Sequence, residues 1–94
     1  MTVKVRLPTP LRPVAGGLGV VEVDAAGAAD VAALLDRLAE SHPALERRVR
    51  DEQRRLRPHV NVFVGPDNIR DLAHLSTAVP DGAEVTILPA VSGG

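Results

Sequence analysis

The residues with the clearest capacity for chemistry in this sequence are its last two, Gly93 and Gly94. A Gly-Gly end has no side chains, so it can pass through a narrow channel and present its α-carboxylate inside the site of another protein. That carboxylate has a reference pKa of about 3.3–3.7, so it is anionic and a poor electrophile at neutral pH. Conversion to an acyl-adenylate by an ATP-using partner makes the carbonyl reactive toward a sulfur nucleophile. The expected product is a thiocarboxylate, in which the chain end carries the sulfur.

The side chains offer little other chemistry. The sequence has no Cys, which removes thiolate metal sites and cysteine nucleophiles. Its three histidines, at positions 42, 59 and 74, share no ligand spacing with a carboxylate, and the serines at 41, 76 and 92 lie in no strained strand-to-helix turn. The Gly-Gly-Leu-Gly segment 16–19 lacks the Lys of a phosphate-binding loop. We therefore expect no catalytic residue, no metal site and no cofactor bound by this chain itself.

Composition limits the class of protein further. The 94 residues suffice for one domain of ordinary globular composition, with 45% hydrophobic and 24% charged residues. A net charge of -1 and a single aromatic residue argue against nucleic-acid binding, which usually combines a basic excess with stacking aromatics. No apolar run approaches the roughly 20 residues that span a bilayer, and no signal-peptide core follows Met1. We expect a cytoplasmic protein without membrane or nucleic-acid partners.

Two alternating segments begin the chain. Alternation over residues 2–7 predicts a strand whose Val3, Val5 and Leu7 face the core, and alternation over residues 19–24 predicts a second with Val21 and Val23 inward. The prolines between them, at 8, 10 and 13, end the first strand because proline offers no N–H to the ladder. Glycines at 16, 17 and 19 supply a permissive loop, so a hairpin is predicted.

The segment after Asp30 carries the clearest helical pattern. Asp30 can cap its N-terminus, where a negative charge suits the helix dipole. The residue before a proline avoids the helical region, so His42-Pro43 predicts the end of this helix. Between these limits, apolar residues recur at helical spacing at Val31, Leu34, Leu35, Leu38 and Ala39.

The second half of the chain is predicted to complete a sheet. Residues 45–58 are polar and rich in arginine, and either a short helix or a mobile loop is compatible with them. Strands are predicted over residues 59–65, with the valines at 60, 62 and 64 inward, and over residues 84–88, with Val85 and Ile87 inward. Turns are predicted at 65–68 and 80–82, and a short return strand from Ile69. This order predicts an α+β domain in which one main helix lies across one face of a mixed sheet.

Residues 81–94, Asp-Gly-Ala-Glu-Val-Thr-Ile-Leu-Pro-Ala-Val-Ser-Gly-Gly, resemble the C-terminus of the ubiquitin-like sulfur carriers, the MoaD/ThiS family. The segment 7–13 with Gly16-Gly17, and the strand 60–64 before Asp67, resemble most closely the subgroup that serves cysteine biosynthesis. The resemblance covers nearly the whole chain and is weak over 44–58. Ser92 departs from the usual alanine, and Gly65-Pro66 from the usual asparagine turn. The resemblance implies a ubiquitin-like β-grasp over residues 1–89 and a flexible tail over 90–94.

The resemblance also implies a function. Gly94 is the residue expected to be adenylated and converted to a thiocarboxylate, and the chain acts as a co-substrate rather than as an enzyme. The implied partners are an E1-like activating enzyme that uses ATP and magnesium, a pyridoxal-phosphate cysteine synthase or another sulfur-accepting synthase, and a zinc metallopeptidase that releases cysteine. Related carriers supply thiosugar pathways, so the acceptor can be shared. The tail that threads into these partners comprises Ala90, Val91, Ser92 and Gly93.

Two apolar residues are predicted on the outward side of their strands, Phe63 and Leu88. We interpret them as a docking surface for partner enzymes; the alternative is a phenylalanine partly covered by a loop. The arginines at 47, 48, 50, 54, 55 and 57 are offset by nearby acids at 46, 51 and 52. We interpret that group as a solvated face or loop.

Three other functions are open on the sequence alone. One is the small subunit of molybdopterin synthase. The Leu-Arg-Pro segment at 11–13 favours the cysteine carrier over this function. Another is a ubiquitin-like modifier, for which polymeric chains could grow only from Lys4 or the N-terminal amine. The last is a β-grasp interaction module with an inert tail, because termini are often small, frayed segments and two glycines are a weak motif.

Overall fold

The structure, a computed structural model, describes residues 2–89. Five strands form one sheet in the order β2–β1–β5–β3–β4. β1 and β5 pair in parallel at the centre, and the other neighbours are antiparallel, so the sheet is mixed as predicted. The strands are β1 (Thr2–Arg6), β2 (Val20–Asp24), β3 (Val60–Val64), β4 (Asp67–Asn68) and β5 (Glu84–Pro89).

The predicted hairpin of β1 and β2 is present, with one difference in the connection. Thr9–Ala15 forms a 3-10 helix rather than an irregular loop, and it has a proline in its first turn. Proline is tolerated there because the first N–H groups of a helix have no internal partner. Gly16 ends the helix at φ 67, in the left-handed region that glycine enters without steric cost. The strand that follows begins at Val20, one residue later than predicted.

The main helix, α1 (Val31–Ser41), has the predicted boundaries. The Oδ1 atom of Asp30 accepts a hydrogen bond from the amide of Ala33 at 2.9 Å and so caps the first turn. The chain leaves the helical region at His42, where Pro43 restricts the preceding backbone, and Pro43 itself begins a second helix, α2 (Pro43–Val49). The segment 45–58 is therefore part helix and part loop.

The loop after α2 is closed by its own polar groups. Asp51 Oδ1 accepts hydrogen bonds from the amides of Gln53 at 2.8 Å and Arg55 at 3.0 Å. These bonds, that of the Arg55 amide most of all, lower the pKa of the Asp51 carboxyl. An isolated β-bridge between Arg50 and Leu56 joins the two ends of the loop. This closure accounts for a defined conformation in a segment with few apolar anchors.

Arg50 corrects the prediction that all the arginines of this region lie on a solvated face. Its side chain is only 3% exposed. Its Nε donates to Glu46 Oε1 at 2.6 Å and its Nη2 donates to Asp36 Oδ1 at 2.7 Å. A buried guanidinium without such acceptors would be very costly, which explains why Glu46 is buried beside it. The ion pairs fix the end of α2 to α1.

The return strand was predicted to start at Ile69, but it starts two residues earlier, at Asp67. β4 covers Asp67 and Asn68, and Gly65 and Pro66 alone form the turn before it. Gly65 has φ 58, as the first central position of a type II′ turn requires. The Asn68 side chain accepts a hydrogen bond from the amide of Arg70 at 3.0 Å, which ends the strand and begins a 3-10 turn over Ile69–Asp71. Ile69 is consequently a fully buried core residue.

The core lies between the helices and one face of the sheet. The turn at Pro80–Gly82 is confirmed by a hydrogen bond from the amide of Ala83 to the carbonyl of Pro80 at 3.0 Å, and it sets the start of β5. Alternation then directs every second strand residue inward, as predicted. The largest fully buried side chains are Val3, Val5, Val31, Leu34, Leu35, Leu38, Leu45, Val49, Val62, Ile69, Val85 and Ile87.

Candidate functional site

The strand that leads to the C-terminus, β5, lies at the centre of the sheet. It pairs with β1 from Lys4–Glu84 to Arg6–Thr86 and with β3 up to Pro89, which lies opposite Val60. Two neighbouring strands therefore hold β5 up to Thr86, and β3 alone holds the last two described residues. We call these two residues, Leu88 and Pro89, the tail base. The residues predicted to thread and react lie outside the described residues: Ala90, Val91, Ser92, Gly93 and Gly94.

The sheet face opposite the helices, which we call the outer face, carries the outward side chains of all five strands. A row of cross-strand partners runs across it. Phe63 is half-buried in that row, beside Thr86, and Leu88 is 39% exposed and lies opposite Asn61. Both orientations agree with the predicted alternation. The row consists of Val20, Arg6, Thr86, Phe63 and Asn68.

Phe63 and Leu88 are diagonal neighbours on adjacent strands, because Leu88 pairs with the residue two positions before Phe63. Such diagonal positions are typically about 7–8 Å apart, within reach of large side chains. The structure thus brings the two predicted docking residues together, one of them at the tail base. Sequence reasoning missed a third apolar residue of the outer face, Val20, which is 37% exposed. The alternation could have predicted it, because Val20 precedes the inward Val21 and therefore faces outward.

Arg70 holds the strand that borders the tail base. Its Nε donates to Asn61 Oδ1 at 3.1 Å, and its Nη2 donates to the carbonyls of Arg57 at 3.0 Å and Val60 at 2.7 Å. Asn61 and Val60 are the residues opposite Leu88 and Pro89, so this guanidinium fixes the part of β3 that pairs with the end of β5. The sequence gives no local signal for this role, because the acceptors lie nine to thirteen positions away.

Charged side chains also lie on the outer face, among them those of Arg6 and Glu84. Arg6 Nε lies 2.6 Å from Glu84 Oε1, with side chains that are 57% and 45% exposed, and such surface pairs are worth little. Within residues 2–89 no group of three His, Cys, Asp or Glu side chains is placed to hold a metal ion. No helix in that part of the chain is long and apolar enough to cross a membrane.

A mixed five-stranded sheet with its helices on one face and its C-terminal strand at the centre defines a ubiquitin-like β-grasp protein. The sequence matches the ThiS family over residues 5–94. The chain therefore belongs to the ThiS family, and it is a small ubiquitin-like sulfur-carrier protein rather than a catalyst.

Three relatives show which branches of the family this chain resembles. It is 36% identical over 96 residues to the sulfur carrier protein CysO of Mycobacterium tuberculosis, with 100% of both chains covered. It is 40% identical over 78 residues to the small archaeal modifier protein 1 of Haloferax volcanii, covering 83% of this chain and 85% of that one. Identity to the molybdopterin synthase sulfur carrier subunit of M. tuberculosis is 37% over 73 residues, covering 78% and 74%.

The fold is also close to a solved structure in which a carrier is bound to another protein. A chain in the crystal structure of the Amycolatopsis orientalis BexX/CysO complex matches with a TM-score of 0.85 and 36% identity, covering 98% of this chain and 99% of that one. The similarity to CysO thus holds in both sequence and structure.

Proposed function

We propose that this protein carries sulfur as a thiocarboxylate on Gly94, and that cysteine biosynthesis is the main destination of that sulfur. The observation that carries the proposal is the similarity to CysO over the full length of both chains, in a family match that extends to residue 94. The architecture supports it, because the central strand β5 is held by β1 up to Thr86 and by β3 up to Pro89, the last described residue before the tail. A partner can therefore recognise the rigid domain and receive the chain end at a defined distance.

The proposed activation has two steps. A carboxylate oxygen of Gly94 attacks the α-phosphorus of ATP in an E1-like partner that supplies magnesium, and pyrophosphate leaves. A sulfide-level nucleophile delivered by the partner then attacks the acyl carbon, and AMP leaves with the electron pair of the broken C–O bond. Residues 90–93 carry no charge and no large aromatic side chain, which suits passage through a narrow channel. The chain contributes positioning, and the partner contributes the chemistry.

Docking is assigned to the outer face. Phe63 and Leu88 form the part of its apolar surface next to the end of β5, and Leu88 belongs to the tail base. An apolar contact there would orient the domain as the tail enters the partner, and burial of the two side chains would supply binding energy at roughly 25 cal/mol per Å² of apolar surface. We take Phe63 as the anchor, because large aromatic residues dominate interface energies.

The downstream steps belong to further partners. A pyridoxal-phosphate synthase would supply the chemistry that transfers the thiocarboxylate sulfur to a carbon skeleton derived from an activated serine. A zinc metallopeptidase would then hydrolyse the bond to Gly94, releasing cysteine and returning the carboxylate. Another sulfur-accepting synthase, such as one for a thiosugar, could use the same loaded carrier. The crystal structure of a BexX/CysO complex supports this, because a related carrier there is bound to a second protein.

Two rival functions have specific support. Identity of 40% to an archaeal modifier favours conjugation to target lysines, and identity of 37% to a molybdopterin synthase subunit favours a different sulfur acceptor. The intact mass of protein isolated from its own cells separates them. We expect a sulfur-for-oxygen exchange and a fraction that carries added cysteine. Conjugates to other proteins would favour the modifier, and sulfur exchange without a cysteine adduct would favour the molybdopterin branch.

A further inference from the structure

A basic groove lies beside the tail base, on the side of α2. Its polar lining consists of Arg47, Arg48, Arg57 and His59, and Leu11 and Val60 supply apolar surface next to Pro89. No carboxylate is among the described residues that line it. We call these six residues the basic groove. The overall net charge of -1 conceals this local excess of positive charge.

The groove is held in shape by hydrogen bonds rather than by flexible side chains alone. Arg57 Nε donates to the carbonyl of Arg47 at 2.8 Å, and the amide of Arg57 donates to the carbonyl of Val49 at 3.0 Å. The carbonyl of Arg57 accepts in turn from Arg70. Arg57 is therefore fixed through both its side chain and its backbone, so little conformational entropy remains to be lost when it binds a ligand.

The cationic groups of the groove are largely available to a ligand. Arg48 lies on the exposed side of α2. Arg47 Nη1 lies 3.6 Å from Glu52 Oε1, but both side chains are exposed, at 57% and 84%, and such a pair is easily exchanged for a better one. Guanidinium groups bind carboxylates in a planar, two-hydrogen-bond geometry, which makes carboxylate the preferred partner chemistry.

We propose that the basic groove docks an Asp- or Glu-rich segment of the activating partner, located around the mouth of the channel that the tail enters. This inference rests on the proposed function. The tail of residues 90–94 spans at most about 18 Å when extended, at roughly 3.3–3.6 Å per residue. When Gly94 is at the reacting phosphate, Pro89 therefore lies within about 18 Å of that phosphate, and the folded domain that bears the groove is too wide to enter a channel that fits the tail. The groove then faces the surface of the partner around the channel entrance.

Acidic residues around the channel entrance would raise the rate of association with the carrier and would help to exclude wrong partners. Complementary charges accelerate encounter, and like charges placed together disfavour wrong partners. The groove and the apolar outer face meet at the tail base, so the two contacts together fix the orientation of the domain around the tail. The docking surface of the proposed function then has two parts, the apolar outer face and the basic groove.

The test compares two charge reversals that change the net charge equally. Arg48→Glu places a negative charge in the groove, and Arg54→Glu places one on a side chain that is 75% exposed and outside the groove. Pyrophosphate release is measured with the purified E1-like activating enzyme against carrier concentration. We expect Arg48→Glu to lower kcat/KM about tenfold through KM, and Arg54→Glu to change it less than about twofold. Thermal unfolding of both variants checks that they fold.

Salt supplies a second readout that a folding defect would not imitate. The Debye length falls from about 10 Å at 0.1 M salt to about 3 Å at 1 M, so the difference between the two variants should vanish at high salt. Equal kinetics of the two variants at low salt, with an active parent, would overturn the groove proposal and leave the carrier function standing. An inactive parent would overturn the proposed function and this inference with it. Arg48-dependent binding of a single-stranded oligonucleotide, with unchanged activation, would overturn it in favour of a nucleic-acid site.

Discussion

Val62 and Phe63 are consecutive residues of β3 that lie on opposite faces of the sheet. Val62 is 0% exposed within the core, whereas Phe63 is half-buried on the outer face beside Thr86. The pair therefore offers a matched comparison between a side chain that stabilises the domain and one that we assign to partner binding.

We expect Phe63→Ala to weaken partner binding more than folding. Loss of a core aromatic side chain costs about 3–5 kcal/mol, and a half-buried one on an open face should cost about 1 kcal/mol. Val62→Ala removes fewer atoms but should cost about 2 kcal/mol, because it leaves a cavity. Urea unfolding gives the stabilities, and the KM for the carrier in pyrophosphate release gives the binding effect.

Val62→Ala should therefore lose more stability in urea unfolding, whereas Phe63→Ala should show the larger rise in KM for the carrier. A greater loss of stability in Phe63→Ala than in Val62→Ala would show that Phe63 acts as a core residue. An unchanged KM in Phe63→Ala would remove it from the docking surface.

A second comparison concerns Arg50. Arg50→Ala leaves the carboxylate of Glu46 buried without its partner, and we expect it to lower the free energy of unfolding by about 3 kcal/mol. Arg54→Ala removes an exposed guanidinium that also contacts Asp36, at 3.4 Å, and should change stability by less than about 0.5 kcal/mol. Chemical denaturation measures both free energies of unfolding. A loss in Arg50→Ala as small as the one expected for Arg54→Ala would show that the Arg50 ion pairs are dispensable.

Local sequence patterns predict the secondary structure and the buried faces of this chain, but not its long-range contacts. The α1 stripe and the alternation of β1, β3 and β5 are local patterns, and the structure confirms them. The burial of Arg50 depends on Asp36, fourteen positions away on another helix, and no local pattern encodes that contact. The arginine-rich segment therefore looks uniformly solvated in sequence, although it divides into a buried ion pair, a basic groove and an exposed loop.

The same limit applies to the site. The C-terminal pattern of residues 81–94 predicts which residue reacts, and alternation predicts that Phe63 and Leu88 face outward. The groove beside Pro89 is assembled from the 3-10 helix after β1, from α2 and from the start of β3, so its charge excess exists only in the folded chain. Sheet order, which places the strand before the tail at the centre, also depends on long-range pairing.

Gly93 and Gly94 lie outside the described part of the chain. We expect deletion of Gly94, or addition of one residue after it, to abolish sulfur loading while the unfolding midpoint is unchanged. The reacting group is the terminal carboxylate, and the change lies beyond the last strand, where backbone changes disturb little. An extended variant that loads as well as the parent, without removal of the added residue, would exclude the proposed chemistry.

Gly93→Val should block activation although Gly94 keeps its carboxylate. A β-branched side chain restricts the backbone and adds bulk where the chain passes through a channel. A misplacement of about 1 Å can cost on the order of 100-fold in rate, so the loss should appear in turnover at saturating carrier. Gly93→Ala serves as the graded control, with a smaller loss. Equal pyrophosphate release by Gly93→Val and the parent would mean that no tight channel surrounds this residue.

The central claim is that sulfur resides on the C-terminal carboxyl group, and fragmentation of the intact loaded protein in a mass spectrometer tests it most directly. The measurement must locate the change, because oxidation of Met1, the single methionine, adds the same nominal mass as a sulfur-for-oxygen exchange. We predict that the added mass appears only in C-terminal fragments that contain Gly94, and that it depends on ATP and the activating enzyme. Added mass confined to fragments that lack Gly94, or no ATP-dependent change with an active enzyme, would contradict the account.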